Sequence, residues 1–482
     1  MPRPAIPMKR LQRADQRLGL VACAPQPLRW LRRRRGAARA PERILCIKFW
    51  GLGSLQMLTA AAQHLRRAHP DAELHLLTLA ENEAFARGLG VFDAVRTLDV
   101  HTGRGPLGWS VLSARIAALV RELRRARFDA VYDFEFFTRF SALVTLLSGA
   151  SSTHGYAAPN VWRGGFHDHT VPFNRYWHAA RNFRALAGGE DGSDVEPGDL
   201  APFQTSEREA GELDHALERA GLSSGRALVV LNPNAGELSL ERRWPAANFA
   251  ALARALVLED GFAVALVGAP SEAEYVAGIA RAAGELPSGA LVDVAGKLSI
   301  GALAALLARA DAVVTNDSGP MHVSAALGTP TVGLFGPETP VMYGPLGVDC
   351  VGLWKPPACS PCINVHENKQ STCVHGRPEC LVGISVDEVL AETRRALVRR
   401  LFTPAQRLPR HRLRVVAGDG RNDERTPTPN IGRGSVAPAE PTPARAGPAC
   451  PAGVEGERAE RARRAWSEAR PDGDAAARAS AP

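Results

Sequence analysis

The chain has 482 residues, of which 45% are apolar and 22% charged, and its formal net charge is +8. This length is enough for two domains with cores of their own, and the composition excludes a collagen-like or wholly disordered chain. The first 43 residues carry 12 Lys/Arg and two acids, which leaves the remainder with a net charge of −2. A folded part that binds a nucleic-acid backbone is therefore not expected.

The N-terminal residues 1–42 are predicted to form a basic, disordered arm. Their run Arg32–Arg35 is typical of a solvated tail, and the alternative is attraction to anionic lipid. No run of 18 apolar residues occurs, so no membrane-spanning helix is expected. Asp15 and Arg17 interrupt what would be the apolar part of a secretory signal. We therefore expect a cytoplasmic protein, either free or peripheral at the inner face of the inner membrane.

The central part of the chain alternates strand-like and helix-like segments. In residues 43–205 an apolar run at 44–49 precedes an amphipathic stretch at 55–68. A second alternation fills residues 206–402. This pattern predicts two α/β domains, each with a parallel sheet covered by helices on both faces. Residues 403–482 are rich in Ala, Pro, Arg and Gly and are predicted to be a disordered tail.

The strongest local motif is Thr-Asn-Asp-Ser-Gly-Pro-Met-His at residues 315–322, where a buried strand gives way to a helix. Asp317 or Ser318 can cap that helix, and Gly319 has no Cβ to block a ligand. The free N–H groups and the helix dipole favour an anion such as a phosphate or pyrophosphate. Ordinary helix capping is the alternative interpretation of the same residues.

A second motif, Gly51-Leu-Gly53, follows the first strand. The third glycine of a dinucleotide-binding fingerprint is absent, because Gln56 occupies its position. A nicotinamide-dependent dehydrogenase is therefore disfavoured. The motif is also compatible with a simple tight turn between strand and helix.

These two loops, together with Asn232-Pro-Asn and Arg243-Trp-Pro between them, resemble glycosyltransferase family 9, the family of ADP-heptose:lipopolysaccharide heptosyltransferases. The resemblance covers roughly residues 43–400. It implies a GT-B architecture of two Rossmann-like domains facing a cleft, with the acceptor on the N-terminal domain and the nucleotide-sugar donor on the C-terminal one. It also implies inverting transfer that needs no metal ion or other cofactor.

Ser54 is a departure from the family pattern. Better-known members carry an aspartate there that resembles the general base, and a serine hydroxyl cannot take up the proton unaided. We hypothesise that Glu135, supported by Asp133 on the same side of the strand, is the base. Its phenylalanine neighbours are expected to make the carboxylate a better proton acceptor. The alternative is a structural ion pair between Glu135 and Arg139.

The resemblance also assigns binding residues to each domain. Backbone groups of the 315–322 motif are expected at the pyrophosphate. Glu272 follows a strand, where an acid commonly accepts hydrogen bonds from ribose hydroxyls. The alternative is that Glu272 stabilises a helix N-terminus through the helix dipole. The implied donor-binding set is Asn232, Arg242, Arg243, Glu272, Asp317, Ser318, Gly319, Met321 and His322. The implied acceptor-side set is Lys48, Gly51, Gly53 and Arg139.

A cysteine-rich loop is predicted at residues 350–382. Cys359 and Cys362 form a Cys-x-x-Cys pair, and Cys373 and Cys380 follow. Four thiolates are the ligand count of a structural zinc. Free or redox-active thiols and disulfides are the alternatives.

The favoured function is transfer of a sugar, a heptose by resemblance, from a nucleotide-sugar donor such as ADP-heptose to a lipopolysaccharide-core or other surface-glycan acceptor. The expected partners are that donor, a glycolipid or glycan acceptor and an anionic membrane surface, but no nucleic acid. A nucleotide-sugar epimerase and a non-catalytic nucleotide-sugar-binding protein are the alternatives. Ser54 motivates the second of them.

Overall fold

A computed structural model of the protein describes part of the chain. The described residues are 15, 40–101, 106–157, 162–189, 194–222, 225–236, 239–362, 373–402 and 414–416. Among the helices of these segments, none combines the length and the hydropathy that crossing a bilayer requires.

The first domain is built on a six-stranded sheet in which all neighbouring strands are parallel. Its strands are β1 (Arg43–Ile47), β2 (Glu73–Leu79), β3 (Ala94–Leu98), β4 (Ala130–Asp133), β5 (Ser152–Ala157) and β6 (His169–Pro172). Its helices are α1 (Leu52–Ala68), α2 (Glu83–Gly88), α3 (Pro106–Ala126), α4 (Arg139–Ser148) and α5 (Ala179–Leu186). The strand order is β3-β2-β1-β4-β5-β6.

The second domain has a seven-stranded parallel sheet. Its strands are β7 (Leu228–Asn232), β8 (Ala263–Leu266), β9 (Leu291–Asp293), β10 (Ala312–Asn316), β11 (Thr331–Phe335), β12 (Val351–Trp354) and β13 (Arg414–Val416), in the order β13-β12-β11-β10-β7-β8-β9. Its helices are α6 (Glu207–Ala220), α7 (Ala246–Leu258), α8 (Ala273–Ala282), α9 (Ile300–Arg309), α10 (Gly319–Ala326), α11 (Pro340–Tyr343), α12 (Glu379–Val382) and α13 (Val386–Phe402).

Burial explains why the strands read as continuous apolar runs. Residues 44–47 of β1 and all five residues of β7 are buried. In the first domain α1 packs against α5, while α3 packs against α4. Because helices cover both faces of a parallel sheet, both sides of its central strands lie in a core. The predicted α/β class with two parallel sheets is confirmed. The predicted boundary at residue 205 falls between α5 and α6.

Within the predicted N-terminal arm, Asp15 contacts the first domain. The Asp15 carboxylate accepts hydrogen bonds from the backbone N–H groups of Arg139 at 3.1 Å and Phe140 at 2.7 Å. Asp15 therefore caps α4, whose first N–H groups have no partner within the helix. The rest of residues 1–39, including Arg32–Arg35, lies outside the described residues.

One short segment of the predicted C-terminal tail forms a strand. Residues 414–416 form β13, which pairs in parallel with β12. An edge strand presents unpaired N–H and C=O groups, and a segment containing two adjacent valines can satisfy them. Residues 403–413 and 417–482 lie outside the described residues.

Candidate functional site

The first half of the site lies at the carboxyl edge of the first sheet, the edge at which its parallel strands end. Glu135, just after β4, accepts hydrogen bonds from Lys48 Nζ at 3.0 Å and from the backbone N–H groups of Phe49 at 2.6 Å and Trp50 at 3.3 Å. All three go to Oε1, and Oε2 takes part in none of them. Lys48 and Glu135 are only 4% exposed. Glu135 thus pairs with Lys48 across adjacent strands, not with Arg139.

Asp133 belongs to a different cluster from Glu135. Its Oδ2 accepts from Ser141 Oγ at 3.0 Å and contacts His167 Nε2 at 3.2 Å, and Arg163 Nη2 forms an ion pair with it. Burial alone would raise the pKa of Asp133, but the Arg163 charge and the His167 hydrogen bond hold it below its usual value.

The expectation that Asp133 and Glu135 lie on one side of the strand was wrong. β4 ends at Asp133, so its alternation does not continue to Glu135. The Glu135 N–H donates instead to Asp133 Oδ1 at 3.1 Å in a turn. Asp133 is 0% exposed, so the geometry gives it no access to a substrate.

The other acceptor-side residues surround this edge. Gly51 has a φ of 83° and directly precedes α1, whose first turn contains Ser54. A residue with a Cβ would be strained at this φ, which accounts for glycine there. Arg139 Nε donates to the carbonyl oxygen of Trp162 at 3.1 Å.

The two glycine motifs meet each other across the domains. A Cβ at Gly53 would lie 2.4 Å from Cδ2 of His322 at the start of α10, and one at Gly319 would lie 3.1 Å from Cβ of Leu52. The N-terminal ends of α1 and α10 therefore approach closely because both positions lack a side chain. In the structure, these glycines permit close contact between the two domains.

We expect Gly53→Ala to lower the free energy of unfolding by about 1–3 kcal/mol, because the His322 ring must shift to accept a methyl group. The measurement is a four-variant denaturation cycle with His322→Ala. Most of the cost should disappear in the His322→Ala background. If Gly53→Ala lowers the free energy of unfolding equally with and without the His322 ring, the contact between residues 53 and 322 is not the cause of the loss.

The second half of the site is a polar network at the carboxyl edge of the second sheet. Asn232 Nδ2 donates to Thr315 Oγ1 and Ser318 Oγ, both at 2.9 Å. Asn234 Nδ2 reaches Asn232 Oδ1 at 3.2 Å. Ser318 occupies the N-cap position of α10 without a side-chain cap, because its hydroxyl is used in this network. The side chain of Met321 is fully buried beneath β11, next to Gly333.

Both arginines of the 242–243 pair are engaged at this edge. Arg242 Nη1 donates to Asp317 Oδ2 at 3.2 Å and to the Asp317 carbonyl oxygen at 3.0 Å. Arg243 Nη2 donates to Glu272 Oε1 at 3.2 Å, and its guanidinium stacks 4.3 Å from the Tyr275 ring centroid. Both Nε atoms are buried without a partner among the described residues.

Glu272 has two partners. Its Oε2 accepts a hydrogen bond from the Ala269 N–H at 3.0 Å, which caps the following helical turn. Its Oε1 accepts a hydrogen bond from Arg243. Glu272 thus stabilises the N-terminus of a helical turn in the structure. The same carboxylate also lies beside the arginine pair.

Two residues that the sequence interpretation missed connect the halves. Burial raises the pKa of Tyr343 in α11 well above its usual range, and the charges of Glu338 and Asp317 raise it further. The charge of Glu135, from the first domain, also raises the pKa of Tyr343. Tyr343 therefore lies within electrostatic reach of the acceptor-side carboxylate and of the Arg242–Asp317 pair.

His178 forms the second connection. Its Nδ1 accepts from the Ala180 N–H at 3.2 Å, so Nε2 carries the proton and donates to the carbonyl oxygen of Gly344 at 3.0 Å. Burial lowers the pKa of His178 to about 3, so the ring is uncharged near neutral pH. No sequence signal marked His178 or Tyr343, because each acquires its role only where the two domains meet.

The cysteine-rich loop is described only in part. Burial, together with nearby Cys362 and Cys359, raises the pKa of Cys380 to about 11. The Cys373 thiol donates to the carbonyl oxygen of Arg377 at 2.9 Å. Cys359, Cys373 and Cys380 are free thiols, and no three His, Cys, Asp or Glu side chains of the described segments form a group that could hold a metal ion. Residues 363–372 lie outside those segments.

Relatives with known names share both sequence and fold with this chain. It is 31% identical to lipopolysaccharide heptosyltransferase 2 of Escherichia coli K12 over 182 residues, 38% of this chain and 50% of that protein. It is 28% identical to lipopolysaccharide heptosyltransferase 1 of Salmonella typhimurium over 346 residues, 70% of this chain and 99% of that protein. The matched region thus spans about half the length of the E. coli relative.

Solved structures match the fold. E. coli ADP-heptose lps heptosyltransferase II superposes with a TM-score of 0.57 at 24% identity, over 74% of this chain and 99% of that one. The family 9 glycosyltransferase of Veillonella parvula superposes with a TM-score of 0.59 at 22% identity, over 74% and 97%. The predicted GT-B architecture is confirmed. A model of glycosyltransferase family 9 (heptosyltransferase) matches residues 116–373, and the chain belongs to that family.

Proposed function

We propose that this protein is an inverting glycosyltransferase that moves a heptose from a nucleotide-sugar donor to a lipopolysaccharide-core acceptor. The observation that carries the proposal is the contact between the two domains at the carboxyl edges of their sheets. A Cβ at Gly53 would lie 2.4 Å from the His322 ring, and His178 donates to the carbonyl oxygen of Gly344 at 3.0 Å. The edge that bears Glu135 therefore lies against the domain that bears Arg242. The names of the relatives supply the sugar and the acceptor.

The donor side has the chemistry to bind a diphosphate. The start of α10 offers backbone N–H groups that Ser318 does not cap, and such groups attract anions. Arg242 and Arg243 each keep a buried Nε without a described partner. These cations would stabilise the charge that develops on a departing nucleoside diphosphate without a metal ion.

The acceptor side has the chemistry to remove a proton. Lys48 and two backbone N–H groups hold Glu135 through Oε1, which leaves Oε2 for an acceptor hydroxyl. A hydroxyl activated there would attack the anomeric carbon from the face opposite the leaving group. One displacement of that kind inverts the configuration, and the serine at position 54 has no part in it.

The test combines calorimetric titration with ADP-, GDP- and UDP-sugars and mass spectrometry of candidate acceptors. Tight binding of one nucleotide-sugar, followed by gain of one sugar by the acceptor, supports the proposal. Binding without turnover would instead indicate a non-catalytic nucleotide-sugar-binding protein. Conversion of the donor in the absence of an acceptor would indicate an epimerase.

We expect Arg242→Ala to weaken donor binding by about 10- to 100-fold, because a charge-assisted hydrogen bond contributes about 1.5–3 kcal/mol. Arg309→Ala removes an exposed ion pair with Asp214 in the same domain and serves as the control. The measurement is the donor Kd by calorimetry. Equal Kd values for Arg242→Ala and the wild type would remove Arg242 from the donor site.

The cellular location is part of the same proposal. We place the enzyme at the cytoplasmic face of the inner membrane, with Arg32–Arg35 attracted to anionic lipid. Co-sedimentation with anionic vesicles should fall when the four arginines become glutamine, and unchanged binding would refute this role.

The four-cysteine zinc site stays a separate prediction, and metal analysis of the purified protein would refute it if no zinc is present.

A further inference from the structure

The segment 173–178, between β6 and α5, displays an exposed aromatic ring. Tyr176 is 69% exposed, and Arg175 beside it is exposed as well. A single exposed aromatic side chain is common on protein surfaces and needs no explanation. The way the chain holds this segment is what distinguishes Tyr176.

A hydrogen-bond network fixes the backbone of this segment. Asn182 in α5 accepts from the Asn174 N–H at 3.0 Å and donates to the Asn174 carbonyl oxygen at 2.9 Å. The Tyr176 N–H donates to Asn174 Oδ1 at 2.9 Å. At the start of the segment, Phe173 packs 4.3 Å from the Phe136 ring centroid. The loop that displays Tyr176 is therefore held in place by the protein itself.

The same segment touches both halves of the candidate site. Phe136, against which Phe173 packs, lies 5.7 Å from Lys48 Nζ, the partner of the Glu135 carboxylate. At its other end, His178 donates to Gly344 of the second domain. Tyr176 thus belongs to a short exposed segment that is connected at one end to the surroundings of the acceptor-side carboxylate and at the other to the second domain.

We propose that Tyr176 is an acceptor-specificity residue whose ring stacks on a sugar ring of the acceptor glycan. This inference rests on the proposed function. A tyrosine offers a large, rigid contact surface at low entropic cost, and its hydroxyl remains available to hydrogen-bond sugar hydroxyls. A loop already fixed by Asn174 and Asn182 does not lose further freedom when the glycan binds, which favours affinity.

The test compares three variants of the full chain. Tyr176→Ala removes the ring, and Tyr176→Phe keeps it without the hydroxyl. Leu107→Ala truncates an equally exposed side chain (76%) on α3 and is the matched control. The acceptor is the deacylated core oligosaccharide of a lipopolysaccharide. The readouts are its KM at saturating donor, kcat, the donor KM, and its Kd by calorimetry without donor.

Tyr176→Ala should raise the acceptor KM and Kd by about tenfold and leave kcat and the donor KM unchanged. Tyr176→Phe should retain most of the affinity, and Leu107→Ala all of it. An acceptor Kd unchanged by Tyr176→Ala, or no oligosaccharide binding by the wild type, would overturn the inference. If the wild type binds the oligosaccharide through Tyr176 but transfers no sugar, the inference stands and the proposed function fails.

Discussion

Replacing Glu135 with glutamine should lower kcat by about 10²- to 10⁴-fold, the usual contribution of a general base. Glutamine keeps an oxygen that can accept from Lys48 and from the Phe49 and Trp50 N–H groups. It replaces the other oxygen with an amide that cannot take up a proton. The loop geometry should therefore survive while the chemistry is lost. The measurement is kcat at saturating donor and acceptor.

Two comparisons make the Glu135 result specific. The donor Kd should not change, because the donor is assigned to the other domain. Glu73→Gln alters an exposed acid that pairs with Arg43 at the opposite edge of the same sheet, and it should leave kcat unchanged. If Glu135→Gln retains a kcat within threefold of the wild type, another group accepts the proton.

Replacing Asp133 with asparagine should act on stability. The change leaves the guanidinium of Arg163, a residue 4% exposed, without its counter-charge. Removing one partner of a buried ion pair costs about 3–5 kcal/mol of unfolding free energy. Chemical denaturation near neutral pH measures this loss. In the same domain, Asp194→Asn breaks the exposed pair with Arg181 and should cost at most about 1 kcal/mol.

The pH dependence of the Asp133 effect follows from its lowered pKa. A carboxyl group with a folded-state pKa below its unfolded value of about 3.9 stabilises the fold above that pH. This contribution is lost as the pH falls through the folded-state pKa. The stability difference between wild type and Asp133→Asn should therefore shrink in acid. A difference that is constant from pH 7 to pH 3 would contradict the buried ion pair.

The sheets, and the edge at which the site forms, follow from sequence patterns. Alternating apolar strands and amphipathic helices indicate parallel sheets, and such sheets bind ligands beyond the carboxyl ends of their strands. The motifs after β1, β4, β7 and β10 can therefore be assigned to two facing edges from the sequence alone. Local chemistry along the chain is sufficient for this step.

The partners of individual side chains cannot be predicted in the same way. Arg139, four residues from Glu135, is the partner that local spacing suggests, but Glu135 pairs with Lys48 because β1 and β4 are neighbours in the sheet. His178 reaches Gly344 only because two domains meet. Asp15, in a segment with a disordered composition, caps α4. Each of these contacts depends on tertiary proximity that no local pattern encodes.

The most direct test of the account is to follow both substrates in one reaction. The wild-type protein would be incubated with a nucleotide-activated heptose and the deacylated lipopolysaccharide core oligosaccharide, and the products examined by mass spectrometry and NMR. The account predicts that the acceptor gains one heptose with inverted anomeric configuration and that one nucleoside diphosphate is released for each sugar transferred. Donor that is consumed or epimerised while the acceptor stays unmodified would contradict it.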